Sequence, residues 1–408
     1  MERSAETVTF DQIWGNPAFY ADPYPFYCAL RASGPVQWSE RGETWEVVGY
    51  AEVAAALRDP RLAADRSTLF FNWMDPARRA ALAPLERIHQ GMMLFSDPPK
   101  HTRLRGLVNK AFTPRVVEAL RARVQAVVDE LLVEPIAAGG MDAIASLAAP
   151  LPVIVIAELL GVPAADRVQL KAWSDAFAAF IGGQAGVESV PEWANDGIVA
   201  LGEYFRAIVE RRRVEPGDDL ISALLAAEER GDVLSENELL ATCVLVLIAG
   251  HETTTNLIGN GLLALVRHPD QTRLLRKDPR LIRTAIEELL RYDSPVQLTS
   301  RLAIEPLELG GRRIEAGRFI DLWLGPANRD PAQFAEADRL DLQRADNRHL
   351  AFGYGSHFCV GAPLARLEGQ IALGTVLDRF PALRLSDEPL EYQQTTVFRA
   401  LKRLPVAW

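Results

Sequence analysis

One cysteine in this sequence has neighbours that favour a charged sulfur. Cys359 lies in the stretch Phe352-Gly-Tyr-Gly-Ser-His-Phe-Cys-Val-Gly-Ala-Pro363, flanked by Gly353, Gly355 and Gly361. Glycines let backbone amides approach a sulfur closely, and a helix predicted to start at the end of the stretch would direct its positive end toward the sulfur. Both effects lower the pKa of a thiol. A lone cysteine is more often a small buried apolar residue, but these neighbours predict a thiolate that binds a metal.

A second polar site interrupts an apolar helix. The capping box Ser235-Glu-Asn-Glu238 predicts a helix start, and the helical pattern continues to about Val266. Its apolar run, Leu239–Gly250, is too short to span a membrane and is followed by Glu252 and Thr253. Polar side chains at buried positions are costly unless they are used. The alternative is a cluster of back-bonded threonines that merely bends the helix.

Two further groups of charged residues have helical spacing. His101 and Arg105 lie four residues apart after a proline pair, so both would donate to one anion, although a solvated basic turn has the same pattern. Glu288 and Arg291 lie three residues apart on one helix face, the spacing of a surface ion pair. Arg301 ends a short extended segment, and its guanidinium suits a carboxylate.

These motifs, in this order, resemble those of the cytochrome P450 monooxygenases. The Cys359 loop, with Leu364-Ala-Arg366 after it, matches the family's haem-binding loop at every fixed position. Ala249-Gly-His-Glu-Thr253 resembles its oxygen-activation motif, and Glu288-x-x-Arg291 resembles its glutamate-x-x-arginine motif. With the His101 and Arg105 pair, the resemblance extends from Asp97 to the end of the chain.

The resemblance implies a role for each site residue. Cys359 would be the axial ligand of the iron of haem b. Thr253 would support oxygen activation at that iron, and Glu252 would relay protons to it. The other implied roles cover larger sets: the haem propionates would be held by His101, Arg105, Arg301 and His357; the structural ion pair would be Glu288 and Arg291; the substrate pocket would be lined by Leu245, Ala249, Val296, Leu298, Val397 and Phe398.

Length, composition and cysteine usage limit the remaining possibilities. We predict a mainly α fold with small β-sheets, formed by one large cytochrome P450-type domain over residues 1–408 with no fused reductase. Lysine and arginine number 44 against 54 acidic residues, so the net charge of −10 disfavours nucleic acid as a general partner. The cysteines Cys28, Cys243 and Cys359 lack disulfide or zinc-knuckle spacing. Without an apparent signal peptide or N-terminal anchor, the sequence predicts a cytoplasmic protein, which we expect to be monomeric.

Electrons should come from another protein. Gly259-Asn-Gly261-Leu-Leu-Ala264 formally fits a dinucleotide-binding fingerprint, but it lies inside a helical pattern with no strand before it. The family resemblance implies a ferredoxin and a ferredoxin reductase that uses NAD(P)H. A basic cluster on this acidic chain is a candidate docking site for the ferredoxin; its residues are Lys100, Arg103, Lys110 and Arg115.

The predicted reaction inserts one atom of O₂ into a small, largely apolar molecule, by hydroxylation or epoxidation, in secondary metabolism. A peroxide-using haem-thiolate peroxygenase and a non-catalytic haem sensor are the alternatives. The substrate itself cannot be derived, because its pocket would be shaped by the variable segments Arg66–Phe95 and Phe177–Trp193.

Overall fold

A computed structural model describes residues 8–67, 71–72, 74–181, 192–227 and 231–408, and its central element is a 32-residue helix, Glu236–Arg267. The helix begins at the predicted capping box. The Ser235 amide donates to Glu238 Oε2 at 2.9 Å, and Ser235 Oγ accepts the Glu238 amide at 3.4 Å. The helix ends one residue beyond the predicted Val266, so the local signals were sufficient to place it.

The described chain is mainly helical, as predicted. Its helices are α1 (Pro17–Ala21), α2 (Tyr24–Ala32), α3 (Tyr50–Ala56), α4 (Pro76–Ala81), α5 (Ala83–Gly91), α6 (Lys100–Ala111), α7 (Pro114–Ala119), α8 (Arg121–Leu131), α9 (Val133–Ala138), α10 (Pro150–Leu159), α11 (Arg167–Ile181), α12 (Glu192–Val214), α13 (Leu220–Ala226), α14 (Glu236–Arg267), α15 (Pro269–Lys277), α16 (Ile282–Tyr292), α17 (Leu324–Ala327) and α18 (Ala362–Arg379).

Small sheets accompany the helices. The strands are β1 (Val36–Ser39), β2 (Thr44–Val47), β3 (Leu62–Ala63), β4 (Gly140–Asp142), β5 (Leu298–Ala303), β6 (Leu307–Leu309), β7 (Arg312–Ile314), β8 (Phe319–Trp323), β9 (Arg384–Leu385) and β10 (Pro405–Ala407). The largest sheet has the order β1-β2-β8-β5-β3, with β2 and β8 parallel and its other pairs antiparallel. This sheet brings residues near 60 beside residues near 300.

Glycines let other elements approach α14 closely. A Cβ on Gly250 would lie 2.9 Å from Ile156 of α10, and one on Gly259 would lie 2.5 Å from Ile144. A Cβ on Gly261 would lie 3.0 Å from Leu373 of α18. Gly259 and Gly261 therefore serve helix packing, which explains why the apparent dinucleotide fingerprint lies within a continuous helix.

A buried ion pair ties α16 to the chain that precedes the Cys359 loop. Arg291 donates to both carboxylate oxygens of Glu288 at 2.8 Å, and both side chains are 0% exposed. Arg291 also donates to the carbonyls of Asn328 and Ala337 at 2.9 and 2.7 Å. The pair thus links the helix to two segments that are distant in sequence.

Part of the predicted pocket border lies outside the described residues. Of Phe177–Trp193, the backbone up to Ile181 belongs to α11 and Glu192 begins α12, while 182–191 are not described. No helix within the described ranges combines the length and apolar character needed to cross a membrane.

Candidate active site

The Cys359 loop owes its shape to glycines in the left-handed region. Gly353 and Gly355 have φ of 70° and 76°, and a Cβ on Gly355 would lie 2.9 Å from the Leu57 carbonyl oxygen. The Cys359 amide donates to the Phe352 carbonyl at 2.9 Å, which closes the loop. Positive φ strongly favours glycine, so the spacing of these residues in the sequence reflects backbone geometry.

The start of α18 is fixed beside this loop by a charged contact. Arg366 donates to both carboxylate oxygens of Glu287 on α16 at 2.7 Å, and its guanidinium lies 4.6 Å from the centroid of the Phe352 ring. A bidentate pair resists both sliding and rotation. The helix that follows Cys359 is therefore anchored at its first turns.

The electrostatics of the Cys359 sulfur differ from the expectation in one respect. Burial raises the pKa of the thiol, and this outweighs the lowering by the Gly361 amide, Arg105, the Ala362 amide and Arg366. The predicted lowering by nearby amides is present, but desolvation, which the sequence does not reveal, outweighs it. A bound metal cation would hold the sulfur as a thiolate.

The predicted anion-binding residues come from three elements and lie together. His101 and Arg105 are on α6, Arg301 is on β5, and His357 ends a 3₁₀ turn, Gly355–His357. The rings of His101 and His357 have centroids 4.0 Å apart. Burial, followed by His101, Arg301, Arg105 and Arg66, lowers the pKa of His357 to about 3. Such crowding of cations around neutral imidazoles favours an anionic ligand.

Arg66 belongs to this cluster, and the sequence reasoning missed it. Its side chain is buried and donates from Nη1 to the Ser300 carbonyl at 3.1 Å. Burial, followed by repulsion from Arg301, lowers the pKa of Arg66 to about 9. The contact arises from the pairing of β3 with β5, and no local pattern signals it. In the sequence, Arg66 follows the short apolar strand Leu62–Ala63 by three positions, which is a weak hint.

Donors in the cluster retain unused capacity. Among the described side chains, His101 Nε2 and Arg66 Nε are buried and have no hydrogen-bond partner. Buried donors without a partner are rare and point to a ligand or ordered water. With Arg105 and Arg301 beside them, they suit a ligand that bears carboxylates.

On α14, Glu252 and Thr253 are neighbours at the polar break. Thr253 Oγ1 donates to the Ala249 carbonyl at 2.9 Å, the back-bonded arrangement that was the alternative interpretation. Burial raises the pKa of Glu252; among the smaller effects, His251 lowers it and Asp175 raises it. The back-bond leaves the Thr253 oxygen able to accept a hydrogen bond, so it does not exclude a chemical role.

The predicted pocket residues fall into two groups. Val296 and Phe398 form an isolated antiparallel bridge, and the Gln297 amide donates to the Val397 carbonyl at 2.8 Å. Leu298 packs with the N-terminal aromatic cluster around Trp323, which favours a core role for it. The other two, Leu245 and Ala249, lie on α14.

The chain is similar to known cytochrome P450 proteins. The cytochrome P450 family model matches residues 200–404. The chain is 44% identical over 399 residues to cytochrome P450 monooxygenase PikC of Streptomyces venezuelae, covering 96% of this chain and 92% of that one. It is also 44% identical over 398 residues to vitamin D(3) 25-hydroxylase of Pseudonocardia autotrophica, covering 95% and 94%.

A solved structure agrees over nearly the whole fold. The structure of P450BioI in complex with hexadec-9Z-enoic acid ligated acyl carrier protein has a TM-score of 0.89 and 40% identity, and the match covers 96% of this chain and 99% of that one.

The chain belongs to the cytochrome P450 family.

This P450 is an oxidoreductase of the monooxygenase class, and its cofactor is haem b. The residues present fit that group. The Cys359 sulfur faces amides that stabilise a negative charge. Buried polar atoms of Arg66 and His101 remain without a partner among the described residues, and they suit carboxylates. Haem b carries both features that these sites require, an iron and two propionates.

Proposed function

We propose that this P450 inserts one atom of O₂ into a small, largely apolar molecule by hydroxylation or epoxidation. The observation that carries the proposal is the acid and hydroxyl pair, Glu252 and Thr253, at the polar break of α14. Burial raises the pKa of Glu252, and a carboxyl group gives and takes protons more effectively as its pKa comes closer to the working pH. Thr253 would accept a hydrogen bond from a water molecule through the free acceptor capacity of its hydroxyl.

The other site residues would hold the cofactor. When bound, haem b supplies an iron that binds and activates O₂. Cys359 would hold this iron through its sulfur. The propionates would be held by His101, Arg105, Arg301 and His357, and we add Arg66 because its guanidinium contacts the same strand as Arg301. Glu288 and Arg291 would act only through stability.

The substrate class is supported by relatives rather than by a cavity. One relative is named as a vitamin D(3) 25-hydroxylase, and one solved neighbour holds a fatty acid on an acyl carrier protein. Both substrates are largely apolar, as are Val296, Val397 and Phe398 near the predicted distal side. A screen by haem spectral shift with secosteroids, macrolides, free fatty acids and acyl carrier protein-linked acids would identify the class.

Electrons would arrive one at a time from a separate ferredoxin, reduced by a reductase that uses NAD(P)H. In this proposal residues 1–408 act as one monomeric domain in the cytoplasm. Arg103 is a poor residue for testing the docking hypothesis, because its guanidinium also pairs with Glu238 at the start of α14. Charge reversal at Arg103 would break that contact, so Arg115, which is exposed, is the better test residue.

Two measurements test the proposal. Product formation should require O₂, NAD(P)H, ferredoxin and reductase together, with oxygen uptake in proportion to product. Equal turnover with peroxide alone would favour the peroxygenase alternative. The rate at which ferredoxin reduces the protein should fall as the salt concentration rises, and it should also fall in Arg115→Glu. If neither change altered this rate, the docking hypothesis would be wrong.

A further inference from the structure

We propose that Asp175, His251 and Glu252 form a binding site for one zinc ion between α11 and α14. A ring nitrogen of His251 and one carboxylate oxygen from each acid lie within 4.8 Å of one another. The site is separate from the iron ligand Cys359 and joins two helices. Imidazole and carboxylates are the ligands that zinc takes in catalytic-type sites, with water completing the coordination.

The orientation of His251 is that of a metal ligand. Its side chain is 2% exposed, and Nδ1 lies 2.8 Å from the Leu247 carbonyl oxygen. A carbonyl only accepts, so Nδ1 carries the hydrogen, and Nε2 is the ring atom that remains for a ligand. A hydrogen bond from the opposite ring nitrogen to a carbonyl is the usual support of a metal-binding histidine. Among the described residues, Nε2 has no hydrogen-bond partner.

Nε2 of His251 faces a carboxylate oxygen at a distance that suits a shared ion. Nε2 lies 3.6 Å from Asp175 Oδ1, which is too far for a hydrogen bond. Two ligands at 2.0–2.2 Å from a tetrahedral zinc ion are about 3.4 Å apart. A zinc ion between the two atoms would bind both of them.

The two oxygens of Asp175 are divided between different partners. Oδ2 accepts a hydrogen bond from Lys171 Nζ at 2.6 Å, whereas Oδ1 is directed at His251. Burial acts to raise the pKa of Asp175, but His251 and Lys171 lower it more, so the group is ionised at neutral pH. Glu252 would supply the third ligand and release its proton on binding, as metal ligands do.

Zinc at this site would fasten α11 to α14 and engage the Glu252 carboxylate. Turnover should then fall as the site fills. That consequence rests on the proposed proton-relay role of Glu252, whereas binding does not, and the two are measured separately.

The test uses the resting, haem-loaded protein with Zn²⁺ in competition against a chromophoric zinc chelator. We expect one equivalent to bind, with affinity reduced by more than the roughly 10–100-fold typical of losing an outer-shell partner, because Asp175→Asn and His251→Gln each remove a ligand. His268→Gln is the matched control: His268 Nδ1 also lies 2.8 Å from a carbonyl, that of Ala264, but its Nε2 faces the Tyr292 hydroxyl.

Hydrogen exchange provides a second readout. Zinc should slow exchange of the α11 amides in wild type and in His268→Gln, but not in Asp175→Asn. If the buried His251→Gln variant fails to load haem, Asp175→Asn decides, because Asp175 is partly exposed. Wild-type affinity in Asp175→Asn, or no zinc binding by the wild type, would overturn the proposal.

Discussion

Replacing Arg291 by leucine should destabilise this P450 more than any surface substitution. Its pair with Glu288 is bidentate and 0% exposed on both sides, so the variant leaves a buried carboxylate without its main partner. Breaking a buried pair in this way costs about 3–5 kcal/mol. The cost should lie toward the upper end, because the Asn328 and Ala337 carbonyls also lose a donor. Arg344 Nε lies 3.1 Å from Glu288 Oε2 and would still pair with this carboxylate in the variant, which reduces the cost in part.

Urea unfolding of the haem-loaded protein, followed by circular dichroism and haem absorbance, measures this cost. The matched control is Arg121→Leu, which breaks a pair with Glu118 at the same spacing of three residues but on the surface. Exposed pairs are screened by water and contribute little. If Arg291→Leu unfolded at the same urea concentration as Arg121→Leu, the assignment of a stabilising role to the buried pair would be refuted.

Three further outcomes are expected. Thr253→Ala should lower the ratio of product formed to electrons consumed, while Thr255→Ala should not; equal coupling in both would count against the role of Thr253. Glu368→Gln should remove a pH-dependent loss of stability: burial raises the pKa of Glu368 well above its ordinary value, so wild-type stability is fullest below the unfolded pKa and falls as pH rises toward the folded pKa. Urea titrations at several pH values that run parallel for both proteins would contradict this. Arg66→Gln should weaken haem retention during gel filtration by losing a charged donor, worth about 1.5–3 kcal/mol, whereas Arg61→Gln, which loses a surface pair with Asp59, should retain haem normally.

Local sequence signals were sufficient for the framework of the site. The capping box at Ser235 fixed the start of α14, and the glycines before Cys359 corresponded to positive φ angles. Both features depend on a few adjacent residues, which is why they can be predicted. The spacing of His101 and Arg105 likewise placed both side chains on one side of α6.

Long-range contacts were beyond such reasoning. Arg66 joins the anion-binding cluster only because β3 pairs with β5, and Arg103 meets Glu238 only because α6 lies beside the start of α14. The pKa of Cys359 depends on how much protein surrounds the sulfur, and the sequence does not reveal this. His251 occupies a variable position of the oxygen-activation motif, so the motif does not single it out. Only the packing of α11 against α14 places Asp175 opposite it.

The absorption spectrum of the reduced, carbon monoxide-bound protein tests most directly whether Cys359 ligates haem iron as a thiolate. We predict the thiolate-type band in freshly reduced wild type and its loss in Cys359→Ser. Absence of the band in freshly reduced wild-type protein, or its persistence in the serine variant, would contradict the central claim.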